Sequence, residues 1–198
     1  MVVKKNCTGK KAPVSSKERK VQKMKKCIFD YARLADRRNF GGVRLKSSVK
    51  GFVIHYTAVD GDTAKNECDA FATHVVKASA HIFIDVEGKT GYSVPITRVA
   101  WSVGNPHGWY ETGTMGKALN NANTVSIELC DMIGHGITKP QKAALIKTLK
   151  WLKKKCKNAQ YICRHYDVCT KNCPAWYVDH PQEWKKLQKE LMKNCGMI

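Results

Sequence analysis

Apolar and polar residues are distributed along the chain so as to outline alternating strands and helices from about residue 41 onward. Gly51 to Tyr56 is a nearly continuous apolar run and predicts a buried strand, after which Asp62 is expected to cap a helix running to about Lys77. His81-Ile82-Phe83-Ile84-Asp85 and Gly91-Tyr92-Ser93-Val94, separated by a turn around Glu87-Gly88-Lys89, predict a hairpin. Thr124 to Cys130 places Val125, Ile127 and Leu129 on one face of a strand and Ser126 and Glu128 on the other. Residues 102–123 are rich in Gly, Asn and aromatic side chains and predict a long surface loop; inside a domain such loops are usually functional or mobile.

Two helical periodicities close the chain. Thr138 and Gln141 bracket Pro140 in the pattern of a capping box, and the helix that follows carries Leu145, Leu149, Leu152 and Cys156 on one stripe, with Lys147, Lys150, Lys154 and Lys157 on its other face. A last helix is expected from Pro181 to about Lys193 with Trp184, Leu187 and Leu191 inward. Strands alternating with helices predict the α/β class, with a single mixed central β-sheet flanked by helices. No internal repeat is visible, and no apolar run approaches the roughly 18 residues that would cross a bilayer, so no membrane span is expected.

Charge changes the picture of the first quarter of the chain. Lys and Arg number 35 against 16 Asp and Glu, a net +19, and residues 1–50 alone hold 16 basic and 3 acidic side chains. From Met1 to Lys26 apolar periodicity nearly disappears. We therefore divide the chain into a basic N-terminal arm or helix, residues 1–40, with Ser16 as a helix cap, and a folded domain, residues 41–198. Such charge calls for a polyanionic partner: nucleic acid, acidic lipid, or the teichoic-acid-rich wall of a Gram-positive cell. Charge alone does not choose among them.

Nine cysteines (7, 27, 68, 130, 156, 163, 169, 173 and 195) are an odd number, so at least one has no partner within the chain. Met1 to Lys5 has no apolar stretch resembling a signal-peptide core, and reduced thiols or metal ligands are favoured over a disulfide framework.

Three segments combine residue types that hold metal or move protons. His55 ends the first long strand, where α/β proteins place ligands, although a lone histidine is more often structural. Cys163-Arg164-His165-Tyr166-Asp167-Val168-Cys169-Thr170-Lys171-Asn172-Cys173-Pro174 contains several good zinc donors. One set, Cys163, His165, Cys169 and Cys173, would close a structural site; another, His165 and Cys173 with a distant ligand such as His55, would leave a fourth position open; a disulfide is a third arrangement. Spacing does not decide between them. Glu128 is an acid in an otherwise apolar strand, either facing solvent or lining a metal cleft as a proton acceptor. Lys171, two residues before Cys173, is either one more surface lysine or a cation beside the metal.

Together these segments resemble the type 2 N-acetylmuramoyl-L-alanine amidases, zinc enzymes of phage endolysins and autolysins with a fold like that of peptidoglycan recognition proteins. The matches run in order: Val53-Ile54-His55-Tyr56-Thr57, Gly61-Asp62-Thr63-Ala64-Lys65, Ser79-Ala80-His81, Ser93-Val94-Pro95, Ala100-Trp101, Ser126-Ile127-Glu128, Arg164-His165-Tyr166-Asp167-Val168 and Lys171-Asn172-Cys173-Pro174. The resemblance implies Zn2+ held by His55, His165 and Cys173 with water in the fourth position, Glu128 as general base and acid, and Lys171 polarising the scissile carbonyl. It implies hydrolysis of the amide between N-acetylmuramic acid and L-alanine in peptidoglycan, lysing or remodelling the Gram-positive wall. The basic arm is then expected to bind anionic wall polymers rather than nucleic acid. With no signal peptide in view, the protein is expected to be made in the cytoplasm and to act on the wall after release or non-classical export.

The chain departs from the family pattern in places. Ala80 stands where some phage members carry a catalytic tyrosine, Ser102 where many have a histidine, and Thr170 where glycine is frequent. His81 matches a family position and is expected to be structural or to support the ligands from behind. The main rival is a non-catalytic peptidoglycan-binding protein of the same fold, which typically lacks a zinc ligand. A basic nucleic-acid-binding protein with a structural zinc is the other, and it leaves His55 and Glu128 unexplained.

Overall fold

A computed structural model describes residues 29–104 and 108–197. Eight strands are present: β1 (Tyr31–Ala32), β2 (Phe40–Val43), β3 (Gly51–Tyr56), β4 (Ile82–Ile84), β5 (Thr90–Tyr92), β6 (Arg98–Ala100), β7 (Thr124–Leu129) and β8 (Tyr161–Arg164). Six of them form one mixed sheet in the order β1-β5-β4-β7-β3-β8, in which β4, β7, β3 and β8 run parallel and β5 returns antiparallel. A small antiparallel pair, β2 with β6, lies apart from it. That pair was not legible in sequence, because two of the four residues in β2 are glycines and its register shifts within four residues.

The helices are α1 (Ala64–Thr73), α2 (Lys139–Lys155), α3 (His165–Val168), α4 (Ala175–Asp179) and α5 (Pro181–Asn194). Leu145, Leu149 and Leu152 of α2 and Trp184, Leu187 and Leu191 of α5 pack with Phe52, Ile54, Ile82, Ile84 and Ile127 on one face of the sheet. Each such leucine stabilises the fold by about 1.5–3 kcal/mol through burial alone. Ala64 and Cys68 of α1 cover the other face with Phe83 and Cys130. Beside them Val53 and Cys163 pack under Val103 and Leu119 of the long loop. Covered on both sides, β7 buries two of its polar side chains too, Thr124 and Ser126, while Glu128 at its end stays partly accessible.

Three boundaries differ from expectation. The cap of α1 is Thr63, whose side chain accepts from Asn66 N, while Asp62 accepts from the neighbouring Thr63 N. The helix ends at Thr73 rather than Lys77 because buried Asn39 donates to the carbonyls of Phe71 and His74 and accepts from Val76 N and Lys77 N. Only half of the capping box on α2 forms: Thr138 accepts from Gln141 N, but the Gln141 side chain donates to Ile84 O and Cys130 O instead.

The described part of the segment expected as an arm, residues 29–40, packs on the sheet. β1 pairs with β5, and Phe29 stacks on Tyr92 at 4.9 Å between ring centroids. The expected helix after Ser16 lies outside the described residues. None of the described helices is long and apolar enough to cross a membrane.

Candidate metal centre

Parallel pairing in register brings the candidate residues together. His55 on β3 is the direct partner of Glu128 on β7, and Ile54 is opposite Arg164, so that His165 follows immediately at the start of α3 beside His55. Alternation along β3 and β7 turns His55 and Glu128 away from the face covered by α2 and α5. The two imidazole rings lie 4.6 Å apart between centroids.

Cys173 reaches the same place from the loop after α3. Tyr166 N donates to Cys173 O and Cys173 N to Lys171 O, and the Arg164 guanidinium holds Asp167 with two bonds while donating to Tyr177 O. The long loop presses on this segment: Gly113 N donates to Val168 O and Met115 N to Asp167 O. A Cβ on Gly116 would stand 2.3 Å from Val168 O, and one on Gly113 would stand 2.5 Å from Asp167 O, so both positions require glycine for the close approach.

His55, His165 and Cys173 each offer one donor atom within 4.8 Å of the others, the sole such group of three among the described residues. His55 Nδ1 is 3.9 Å from Cys173 Sγ. A tetrahedral zinc with nitrogen at about 2.0 Å and sulfur at about 2.3 Å sets its donors roughly 3.5 Å apart, close to what is seen. Two buried ring nitrogens, His55 Nε2 and His165 Nδ1, have no hydrogen-bond partner. The buried Nδ1 of His165 without a partner, and a buried thiol beside it, are what a zinc ion would satisfy, so the donor set fits. Cys163 and Cys169 do not belong to the group, which disfavours the closed four-ligand arrangement. The seven cysteines among the described residues are all free thiols.

Electrostatics follow from burial. His55 is held well below the usual histidine range by burial and then by His165 and Lys171, and His165 is lowered to about 4 by burial and Lys171, so both rings are neutral and able to bind metal. Burial pushes the Cys173 thiol up. Glu128 Oε1 is 3.8 Å from His55 Nδ1, and burial, reinforced by Glu67, raises its carboxyl to about 8 while Lys171 pulls the other way. Asp62 and Glu67 form an acidic pair behind it, with Glu67 raised to about 8 by burial and by Asp62. Sequence reasoning passed over Glu67, which looks like an ordinary first-turn acid of α1.

Lys171 and His165 line a cleft of about 560 Å³ walled by Trp101, Ser102, Trp109 and Tyr110. Trp109 is 75% exposed, an aromatic face on the wall of the cleft that His165 also lines. A larger groove of about 810 Å³, lined by Val43, Leu45, Asn158 and Tyr161, contains none of the candidate residues. His81 is buried away from the donors: Ser126 N donates to its Nδ1, and Arg44 Nη2 lies 2.8 Å from its Nε2. Its surroundings are those of a structural histidine that fastens β7.

Residues 45–176 match the family profile of N-acetylmuramoyl-L-alanine amidases. The N-acetylmuramoyl-L-alanine amidase CwlL of Bacillus licheniformis is 32% identical over 163 residues, covering 78% of this chain and 44% of that protein. The N-acetylmuramoyl-L-alanine amidase BlyA of Bacillus subtilis (strain 168) is 32% identical over 160 residues, covering 72% and 41%. The chain therefore spans less than half the length of these curated relatives. In fold it is similar to the PlyG catalytic domain, with a TM-score of 0.66 at 18% identity over 84% of this chain and 96% of that one. PlyL gives a TM-score of 0.65 at 18% identity over 81% and 95%.

Proposed function

The chain belongs to the N-acetylmuramoyl-L-alanine amidase family, and from that premise we propose that it cleaves the amide between N-acetylmuramic acid and L-alanine in the Gram-positive wall, using zinc held by His55, His165 and Cys173. The observation that carries the reading is the convergence of these three donors beside Glu128, from segments far apart in sequence.

When bound, zinc would supply Lewis-acid activation of water and of the scissile carbonyl. Glu128, at the edge of the donor group, takes the proton of the attacking water and returns it to the departing alanine nitrogen, since an amine leaves only when protonated. A carboxyl raised toward neutrality is suited to both transfers. Lys171, exposed on the cleft wall, offers its ammonium to the oxyanion that forms at the carbonyl. Trp101, Trp109 and Tyr110 give sugar and peptide apolar surface on which to lie.

Purified Gram-positive wall incubated with the protein is expected to gain free L-alanine amino termini without new reducing sugars. Reducing sugars alone would mean glycosidase chemistry, and binding without any release would favour the non-catalytic rival.

Ten of the first 26 residues are Lys or Arg against one acid, and we assign to this segment an attraction for anionic wall polymers such as teichoic acids. Removing residues 1–28, which leaves β1 intact, should lower co-sedimentation with walls at low salt and make no difference at high salt. Equal sedimentation at low salt would overturn the assignment.

A further inference from the structure

The two ring nitrogens of His165 have unlike surroundings. Nδ1 is buried without a hydrogen-bond partner, whereas Nε2 lies 3.2 Å from Sγ of Cys169. Both residues are buried, His165 with 3% and Cys169 with 5% of its surface exposed. Cys169 nevertheless stands outside the donor group formed by His55, His165 and Cys173.

Cys169 owes its place to backbone on two sides. As the residue following α3 it lies four positions after His165, on the same side of the turn, and its N donates to His165 O. On the other side it is bridged antiparallel to Thr112, and Thr170 N donates to Glu111 O. The sulfur is therefore fixed against the imidazole by the same loop that presses on the ligand segment.

A neutral imidazole carries one N–H and one lone pair, so the partner of one nitrogen decides what the other can do. Histidines that bind metal usually give their second N–H to an acceptor, which orients the ring and selects the tautomer. We infer that Cys169 is a positioning residue: its sulfur accepts the His165 Nε2–H, which leaves Nδ1 as the atom that ligates zinc. The inference rests on the zinc site proposed above. Were the thiol instead to donate to Nε2, the proton would sit on Nδ1 and close that nitrogen to metal.

The test is zinc affinity, measured on metal-free protein by competition with a chromophoric chelator, for wild type, Cys169→Ala and Cys169→Ser. Cobalt(II) spectra are recorded in parallel. Cys169→Ala should bind zinc about 10–100-fold more weakly, and Cys169→Ser, which retains an acceptor, should recover part of that loss. The thiolate-to-cobalt band should keep its intensity in both variants, because only Cys173 ligates. Nitrogen-15 spectra of the zinc-loaded wild type should place the His165 proton on Nε2, a readout that needs no variant to fold. Unchanged affinity in Cys169→Ala, a proton on Nδ1, or a weakened thiolate band showing Cys169 to be a fourth ligand would overturn the inference while leaving zinc binding intact. A wild type that takes up no zinc would overturn the zinc site itself.

Discussion

Glu128→Gln is expected to cut the release of L-alanine termini by about 10²–10⁴-fold, the usual contribution of a positioned acid–base group. The substitution keeps the size of the side chain and removes its ability to take up and return a proton. Because Glu128 touches the donor group only at its edge, 3.8 Å from His55, zinc affinity and the unfolding midpoint should stay near wild type. That separation is the informative part of the measurement. Wall hydrolysis persisting close to the wild-type rate in Glu128→Gln would mean that another group moves the proton, with Glu67, the acid that acts on Glu128 most strongly, the first to examine.

Removal of zinc should abolish activity altogether, and readdition should restore it. The same linkage predicts a change in stability. Free zinc at about 1,000 times its dissociation constant stabilises the folded state by about 4.1 kcal/mol if the unfolded chain does not bind it. For a chain of this size that corresponds to a rise of roughly 8–16 °C in the unfolding midpoint. In Cys173→Ala the donor group loses its thiolate, so both the zinc-dependent rise and the hydrolysis should vanish together. A midpoint that does not respond to zinc in the wild type, with hydrolysis surviving chelation, would remove the metal from the reaction.

The parts of the molecule that sequence made legible are those where local pattern and packing agree. The stripe of Leu145, Leu149 and Leu152 and that of Trp184, Leu187 and Leu191 announce α2 and α5 because each helix buries one face only. The strand over Gly51–Tyr56 is recoverable from its nearly continuous apolar run, as expected of a strand covered on both sides. Less legible were the features set by distant partners. Nothing near Lys77 announces that α1 stops at Thr73, since Asn39 ends it from elsewhere in the chain. No local pattern marks Phe29 and Tyr31 as part of the fold; Tyr31 takes its place by pairing with β5 and Phe29 by stacking on Tyr92.

The candidate metal centre is an intermediate case. His165 and Cys173 stand out locally, yet spacing alone left them equally able to join Cys163 and Cys169 in a closed site. What separates the arrangements is the parallel register of β3 with β7 and β8, a long-range property that resemblance to a family conveyed and composition did not. The role inferred for Cys169 shows the converse. A cysteine four places from His165 is visible in the sequence, but its relation to one ring nitrogen rather than the other needs three-dimensional geometry.

The separation of 118 positions between His55 and Cys173 also bears on how the protein is made. A chain emerging from the ribosome presents His55 early, but the last donor appears only when most of the domain has been synthesised. Short zinc modules can recruit their ion as soon as a local loop is exposed and fold around it. Here the central strands must pair first, and long-range parallel pairing is among the slower steps of folding. With zinc held as proposed, metal supply during biogenesis would act on a nearly finished domain, and zinc scarcity would yield folded but unloaded protein that can be charged later.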